Sequence, residues 1–139
     1  MFLTEEDYKI VADQRTLDTI QQFEESTRLR AEKTAIEEVS TYLRGKYDVL
    51  AIFAATADAR NHLIVTITCD VSLYHLASWL PGKMGLEIRI ERYDRAIAQL
   101  RDIAKGNITP DLPLLTDDNG QSTGGSISFG SDDANEYDW

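Results

Sequence analysis

The chain has 139 residues, enough for one domain, with 42% apolar and 27% charged residues, and it can bury a core without disulfides or metal. Twenty-four acidic against 14 basic residues give a net charge of −10, which argues against a nucleic-acid binder with an exposed basic footprint and against attachment to anionic lipid by charge. The single cysteine, Cys69, excludes an internal disulfide and any multi-cysteine zinc site, and the uncharged apolar run Val71 to Gly82 falls short of the about twenty residues of a membrane helix.

The opening Met1-Phe2-Leu3-Thr4-Glu5-Glu6-Asp7 turns acidic at once, so no signal peptide is expected, and a soluble product of a reducing cytoplasm is. Thr4 is placed to cap a short helix through Asp7, Tyr8, Ile10 and Val11, with Glu5, Glu6 and Asp7 at its positive end. A second short helix is expected over Leu17 to Phe23. The third is longer: Ser26 is a candidate cap, Leu29, Ile36, Val39 and Leu43 share one face, and Gly45 after Arg44 is a natural stop. Residues 46–57 carry the apolar run Val49-Leu50-Ala51-Ile52-Phe53 and are read as a short helix rather than a loop.

The segment from Asp58 to Leu80 contains the strand-prone run Leu63-Ile64-Val65-Thr66-Ile67-Thr68. It is too long for one strand, and Ile64, Ile67, Val71 and Tyr74 keep helical steps. It is therefore read as a helix capped by Asp58, ended by Pro81-Gly82, and apolar on enough sides to sit at the centre of a bundle. Ile90, Tyr93, Ile97, Leu100 and Ala104 mark the next helix. Glu87 and Glu91 lie at its positive end, Arg101 and Lys105 at its negative end, and Gly106 closes it. Pro110 and Pro113 make Ile108 to Leu115 an extended connector.

The sequence thus predicts an all-α fold of four to five helices over residues 1–115 and an acidic arm over residues 116–139. Residues 1–115 hold 18 acidic and all 14 basic residues, whereas the arm holds six acidic and none basic. The arm is rich in Gly and Ser and has too little apolar content for a core of its own. Ile127 and Phe129 alternate with polar residues in the manner of a short strand, and Tyr137 and Trp139 follow. These four are candidate interface residues.

Little in the chain is catalytic chemistry. On one helix His62 and His75 point about 140° apart and cannot share a metal. Cys69 lies roughly 10.5 Å of helical rise from His62 and reads as a core thiol. Asp70, in the most apolar helix, needs a partner, and Arg92 or Arg95 are the candidates for a structural ion pair. Ser72 and Ser78 lack a nucleophile-elbow context. Pro81-Gly82-Lys83-Met84-Gly85 lacks the phosphate-loop spacing and reads as a turn between helices. Glu24-Glu25 and Glu37-Glu38 read as solvated helix faces. No catalytic, cofactor-binding or metal-binding residue is assigned, and no enzymatic activity is expected.

Three stretches carry a resemblance. One is the opening Phe2-Leu3-Thr4-Glu5-Glu6-Asp7-Tyr8. Another is Ala59-Arg60-Asn61-His62-Leu63-Ile64-Val65 with Asp70 and Leu73-Tyr74-His75-Leu76. The third, and most specific, runs from Arg92-Tyr93-Asp94-Arg95-Ala96-Ile97 through Leu100-Arg101-Asp102-Ile103-Ala104-Lys105-Gly106-Asn107-Ile108. In this order they resemble the Mu-like phage and prophage head–tail connector family, related in fold to the adaptor proteins of long-tailed phages. The resemblance covers residues 1–115. It implies a small helical virion protein without catalysis, assembled as a dodecameric ring beneath the portal protein. Such a ring extends the DNA channel and offers a platform to a stopper or tail-completion protein.

On that expectation DNA only passes through, and an acidic lining avoids gripping phosphate. Either residues 1–38, with ten acidic and five basic residues, or the acidic arm is expected to face the lumen, and Glu24, Glu25, Glu37 and Glu38 are the candidate channel-lining residues. The arm is expected to reach the portal or a neighbouring copy. Two other readings remain open: another head-completion or tail-terminator ring protein, and a cytoplasmic helical binding module outside the virion.

Overall fold

The computed structural model describes residues 2–79 and 86–116. Helix α1 spans Glu5–Val11, α2 Gln14–Ile20, α3 Glu25–Leu43, α4 Val49–Ala54, α5 His62–Ala77 and α6 Leu86–Lys105, with a 3-10 turn at Ala57–Ala59. The fold is an all-α bundle.

Local chemistry sets the helix starts. The Thr4 N–H donates to Asp7 Oδ2 at 2.7 Å, so the third residue of α1 reaches back to its own N-cap. Asp13 caps α2 by accepting from the Thr16 N–H at 2.8 Å. That cap starts α2 three residues before the expected Leu17 and ends it at Ile20 rather than Phe23. Ser26 does not cap α3, because the helix begins two residues earlier than such a cap implies, at Glu25 with Glu24 at the N-cap. Asp48 starts α4 by accepting from the Ala51 N–H at 3.1 Å.

Asp58 does not cap α5 either. It lies in the 3-10 turn, and Asn61 takes the cap, its Oδ1 accepting from the Ile64 N–H at 3.1 Å. The intervening turn contains Ala57 at φ 50°, a left-handed conformation uncommon for a residue with a Cβ. Helix ends differ in kind. Gly106, at φ 84°, closes α6 in the left-handed conformation that glycine allows. Gly45 does not adopt a positive φ. The chain instead leaves α3 through a turn in which the Tyr47 N–H donates to the Leu43 carbonyl at 2.8 Å.

Helix α5 is the axis of the bundle, packed by α1, α3 and α6, while α3 and α6 also touch each other. Its buried residues face nearly all directions, from Ile64 and Val65 to Leu76 and Ala77. Leu43, Ile64, Ile67, Leu73, Leu100 and Ile103 are fully buried, each a gain of about 1.5–3 kcal/mol over exposure. Against this axis α3 presents small residues, Ala31 and Ala35, with Val39 and Leu43, while the expected Leu29 and Ile36 are half-buried at the edge. The buried stripe of α6 also departs from expectation at its ends. Tyr93, Ile97 and Leu100 face inward, but Ile90 and Ala104 are exposed, and Arg89 and Ile103 take the inward places.

The connector after α6 is tied down. Leu112 is buried, and Tyr47 and Leu114 form an antiparallel bridge. The Asp48 N–H donates to the Pro113 carbonyl at 2.9 Å and the Leu115 N–H to the Lys46 carbonyl at 3.1 Å. Pro113 contributes only its carbonyl, so its missing N–H costs the pairing nothing. The expected turn over Pro81 to Gly85 and the candidate interface residues Ile127, Phe129, Tyr137 and Trp139 lie outside the described residues.

Candidate functional site

Most polar groups that enter the bundle are used up inside it. Arg92 reaches Asp70 with two bonds, Nε to Oδ1 at 2.7 Å and Nη2 to Oδ2 at 3.3 Å, whereas Arg95 is exposed. Burial pushes the Asp70 carboxyl above its ordinary range, and Arg92 offsets part of that rise. Two further connections join residues far apart in sequence. The Tyr8 hydroxyl donates to Glu32 Oε2 at 2.7 Å and lies 3.1 Å from Ser72 Oγ, linking α1, α3 and α5. Burial also raises the Glu32 carboxyl, against the lowering effect of the Tyr8 bond. Arg60 clamps Asp7 with bonds of 2.5 and 3.0 Å and also donates to the Phe2 carbonyl at 2.7 Å. Burial would raise Asp7, but the bonds from Arg60 and Thr4 outweigh it and hold the carboxyl low.

Glu38 does not lie on a solvated face. It is half-buried and accepts from the Tyr93 hydroxyl, while His75 Nε2 lies 2.9 Å from its other oxygen. Tyr74 stacks on Tyr93 at 4.1 Å between ring centroids. Its neighbour Glu37 is exposed and bonded to Arg44 at 3.1 Å, and Glu24 and Glu25 are exposed. His62 is exposed, and Cys69 is fully buried, where burial pushes its thiol up. Among the described residues no group of three or more His, Cys, Asp or Glu side chains is placed to hold a metal ion. Ser72 is engaged by Tyr8, and Ser78 bonds the His75 carbonyl at 2.7 Å.

The candidate site is therefore a surface. Its charge is segregated. Between Thr4 and Glu25 the exposed charged residues are Glu5, Glu6, Asp13, Asp18, Glu24 and Glu25 against Lys9 and Arg15. The outer face of α3 carries Arg30, Lys33 and Arg44 against Glu37. A cavity of about 300 Å³ opens between α1, α2 and α3, with Leu3, Leu17, Ile20 and Leu29 on its apolar wall and Glu5, Glu6 and Glu25 around it. Arg28 also lines it, with its Nε buried and without a hydrogen-bond partner among the described residues. On another flank Trp79, 49% exposed, borders a shallow depression with Ser26, Thr27 and Arg30. Leu50, 83% exposed, projects from α4.

Sequence reasoning singled out Glu24 and Glu25 but missed the cavity beside them. Its walls come from residues as far apart as Leu3 and Leu76, and no local pattern joins those. The Asp7–Arg60 clamp and the Tyr8–Glu32–Ser72 link were missed for the same reason. No helix among the described residues is long and apolar enough to cross a membrane.

A family model described as Bacteriophage Mu, Gp36 matches residues 2–129 of the chain. Comparison with curated proteins and with solved structures finds no match.

Proposed function

The chain belongs to the bacteriophage Mu Gp36 family, and on that premise we propose that it is a structural virion protein, a head–tail connector that forms a ring beneath the portal. The ring extends the DNA channel and joins head to tail without catalysis. Its partners are the portal protein, neighbouring copies in a ring proposed to be dodecameric, and a stopper or tail-completion protein. DNA passes through it and is not bound in sequence.

The observation that carries this reading is the family match over residues 2–129. The architecture supports it. Most interior polar groups among the described residues are bonded within the bundle, as in Tyr8–Glu32 and Arg92–Asp70, and the exposed features are charged faces, a cavity and protruding apolar side chains, which suit an assembly component. Glu24, Glu25 and Glu37 remain exposed enough to line a channel, whereas Glu38 is engaged by Tyr93 and His75. The arm residues Ile127, Phe129, Tyr137 and Trp139 are proposed to contact the portal or a neighbour.

Quantitative mass spectrometry of purified phage particles tests the reading. A copy number equal to that of the portal protein is expected. Absence from particles overturns the connector role and favours a cytoplasmic binding module. Presence on purified tails that have not yet joined heads, with absence from DNA-filled heads, favours a tail-terminator ring.

A further inference from the structure

We propose that the cavity between α1, α2 and α3 receives Trp79, together with the flanking Arg30 and Lys33, from a second copy of this chain in a head-to-tail contact. This rests on the reading of the protein as a self-associating ring component and names the surfaces that make the ring. Four observations converge on it.

Trp79 is a large aromatic at the end of α5, 49% exposed, and it borders Arg30. Tryptophan and arginine are the side chains that most often dominate protein interfaces. Arg30 and Lys33 are exposed, and neither makes an ion pair within the described residues.

The cavity is complementary in shape and charge. Its volume of about 300 Å³ and its wall of Leu17, Ile20 and Leu29 suit an indole. Glu5 and Glu25 beside it are exposed acids facing the arriving Arg30 and Lys33. Arg28, whose Nε lacks a partner within the described residues, is placed to meet the face of an aromatic ring.

The two surfaces occupy different flanks of one helix. Ser26, Arg30 and Lys33 point roughly 120° away from Glu25, Arg28, Leu29 and Glu32 around α3. A patch that differs from its partner patch makes a heterologous contact, which closes into a ring when the rotation allows.

Charge also argues against the other local occupant. The arm over residues 116–139 carries six acids and no base, so it is repelled by Glu5, Glu6 and Glu25.

Sedimentation velocity of the full-length protein over a concentration series at low ionic strength tests this. The wild type is expected to form species larger than a monomer, weakened by added salt. Trp79→Glu, and separately the double change Glu5→Lys with Glu25→Lys, are each expected to weaken association about tenfold or more. All three positions are exposed, so both proteins should stay folded, the double variant melting slightly lower because Glu5 and Glu25 sit in the first turns of α1 and α3. Mixed together, the two defective proteins should pair, because each retains the surface the other lacks. If the wild type associates and Trp79→Glu associates equally well, the contact is wrong and the ring reading stands. Failure of the mixture to pair excludes a head-to-tail arrangement. If Phe129→Ser with Trp139→Ser abolishes association while Trp79→Glu does not, the arm is the occupant and the proposal fails. A wild type that stays monomeric at every concentration overturns this contact, while the ring reading is decided separately by the copy number in particles.

Discussion

Asp70 is held by a single guanidinium, and that dependence can be measured. Removing Arg92 leaves a carboxylate among apolar side chains of α5. Arg92→Ala should cost about 2–3 kcal/mol of unfolding free energy in a urea titration. Replacing both partners, Asp70→Leu with Arg92→Met, should be close to neutral, since the desolvation of both charges disappears together. The need of Asp70 was legible from the sequence, as an acid in an apolar helix. Which arginine answers it was not, because Arg92 and Arg95 differ only by their angle around α6. Glu32 gives a pH-dependent counterpart. Its carboxyl is raised in the folded protein, so on raising the pH the unfolded chain gives up this proton first. Stability is therefore full below the ordinary carboxylate range and falls as pH rises through the raised value. Glu32→Gln keeps an acceptor for Tyr8 and removes the ionisation. The variant should gain on the wild type as the pH rises from about 4 to 7. A constant difference across that range would show that Glu32 titrates normally.

At the scale of elements, periodicity carried the reading well for helices with one clear apolar stripe and less well where another force chose the face. Ile90 and Ala104 fit the stripe of α6 by spacing, yet Arg89 takes the inward place, donating to the Val11 carbonyl at 3.1 Å. A hydrogen bond to another helix has no signature in one helix's sequence. Likewise Ala31 and Ala35 of α3 are buried because α5 approaches closely there, a tertiary fact that hydrophobic spacing does not encode. Starts differ from the spacing where a capping residue type is not at the cap: Asn61 rather than Asp58 caps α5, and α3 begins after Glu24, which makes no side-chain cap bond, with Ser26 already inside the helix. The prolines mark the connector as extended, but its pairing with Tyr47 spans about half of the chain and leaves no local trace. Leu112 anchors that pairing. Leu112→Ala should cost about 2–3 kcal/mol. Hydrogen exchange should show lost protection at the Asp48 and Leu115 amides and retained protection in α5. Equal loss in both places would mean that the connector is part of the global cooperative unit.

The whole molecule places its one thiol at the centre. Cys69 is fully buried in the axial helix, so a thiol reagent reaches it only when the bundle opens. Labelling in native buffer should be slower than for a free thiol by about the folded-to-unfolded ratio, 10³-fold or more. Assembly into a ring should slow it further. Fast labelling would reveal a local opening of α5. The charge of the whole is also unevenly placed, and this much was visible in the sequence as an acidic N-terminal third. What the sequence did not disclose is that the outer face of α3 turns basic residues outward beside that acidic surface. The pairing of the connector with the α3–α4 corner bears on how force enters the molecule. Tension applied at the C-terminal end of the described chain reaches the Leu115–Lys46 and Asp48–Pro113 hydrogen bonds before it reaches α6. Two backbone bonds and one buried leucine then act as a mechanical fuse. They are expected to yield before the helices do, and so to lengthen the tether while the bundle stays folded.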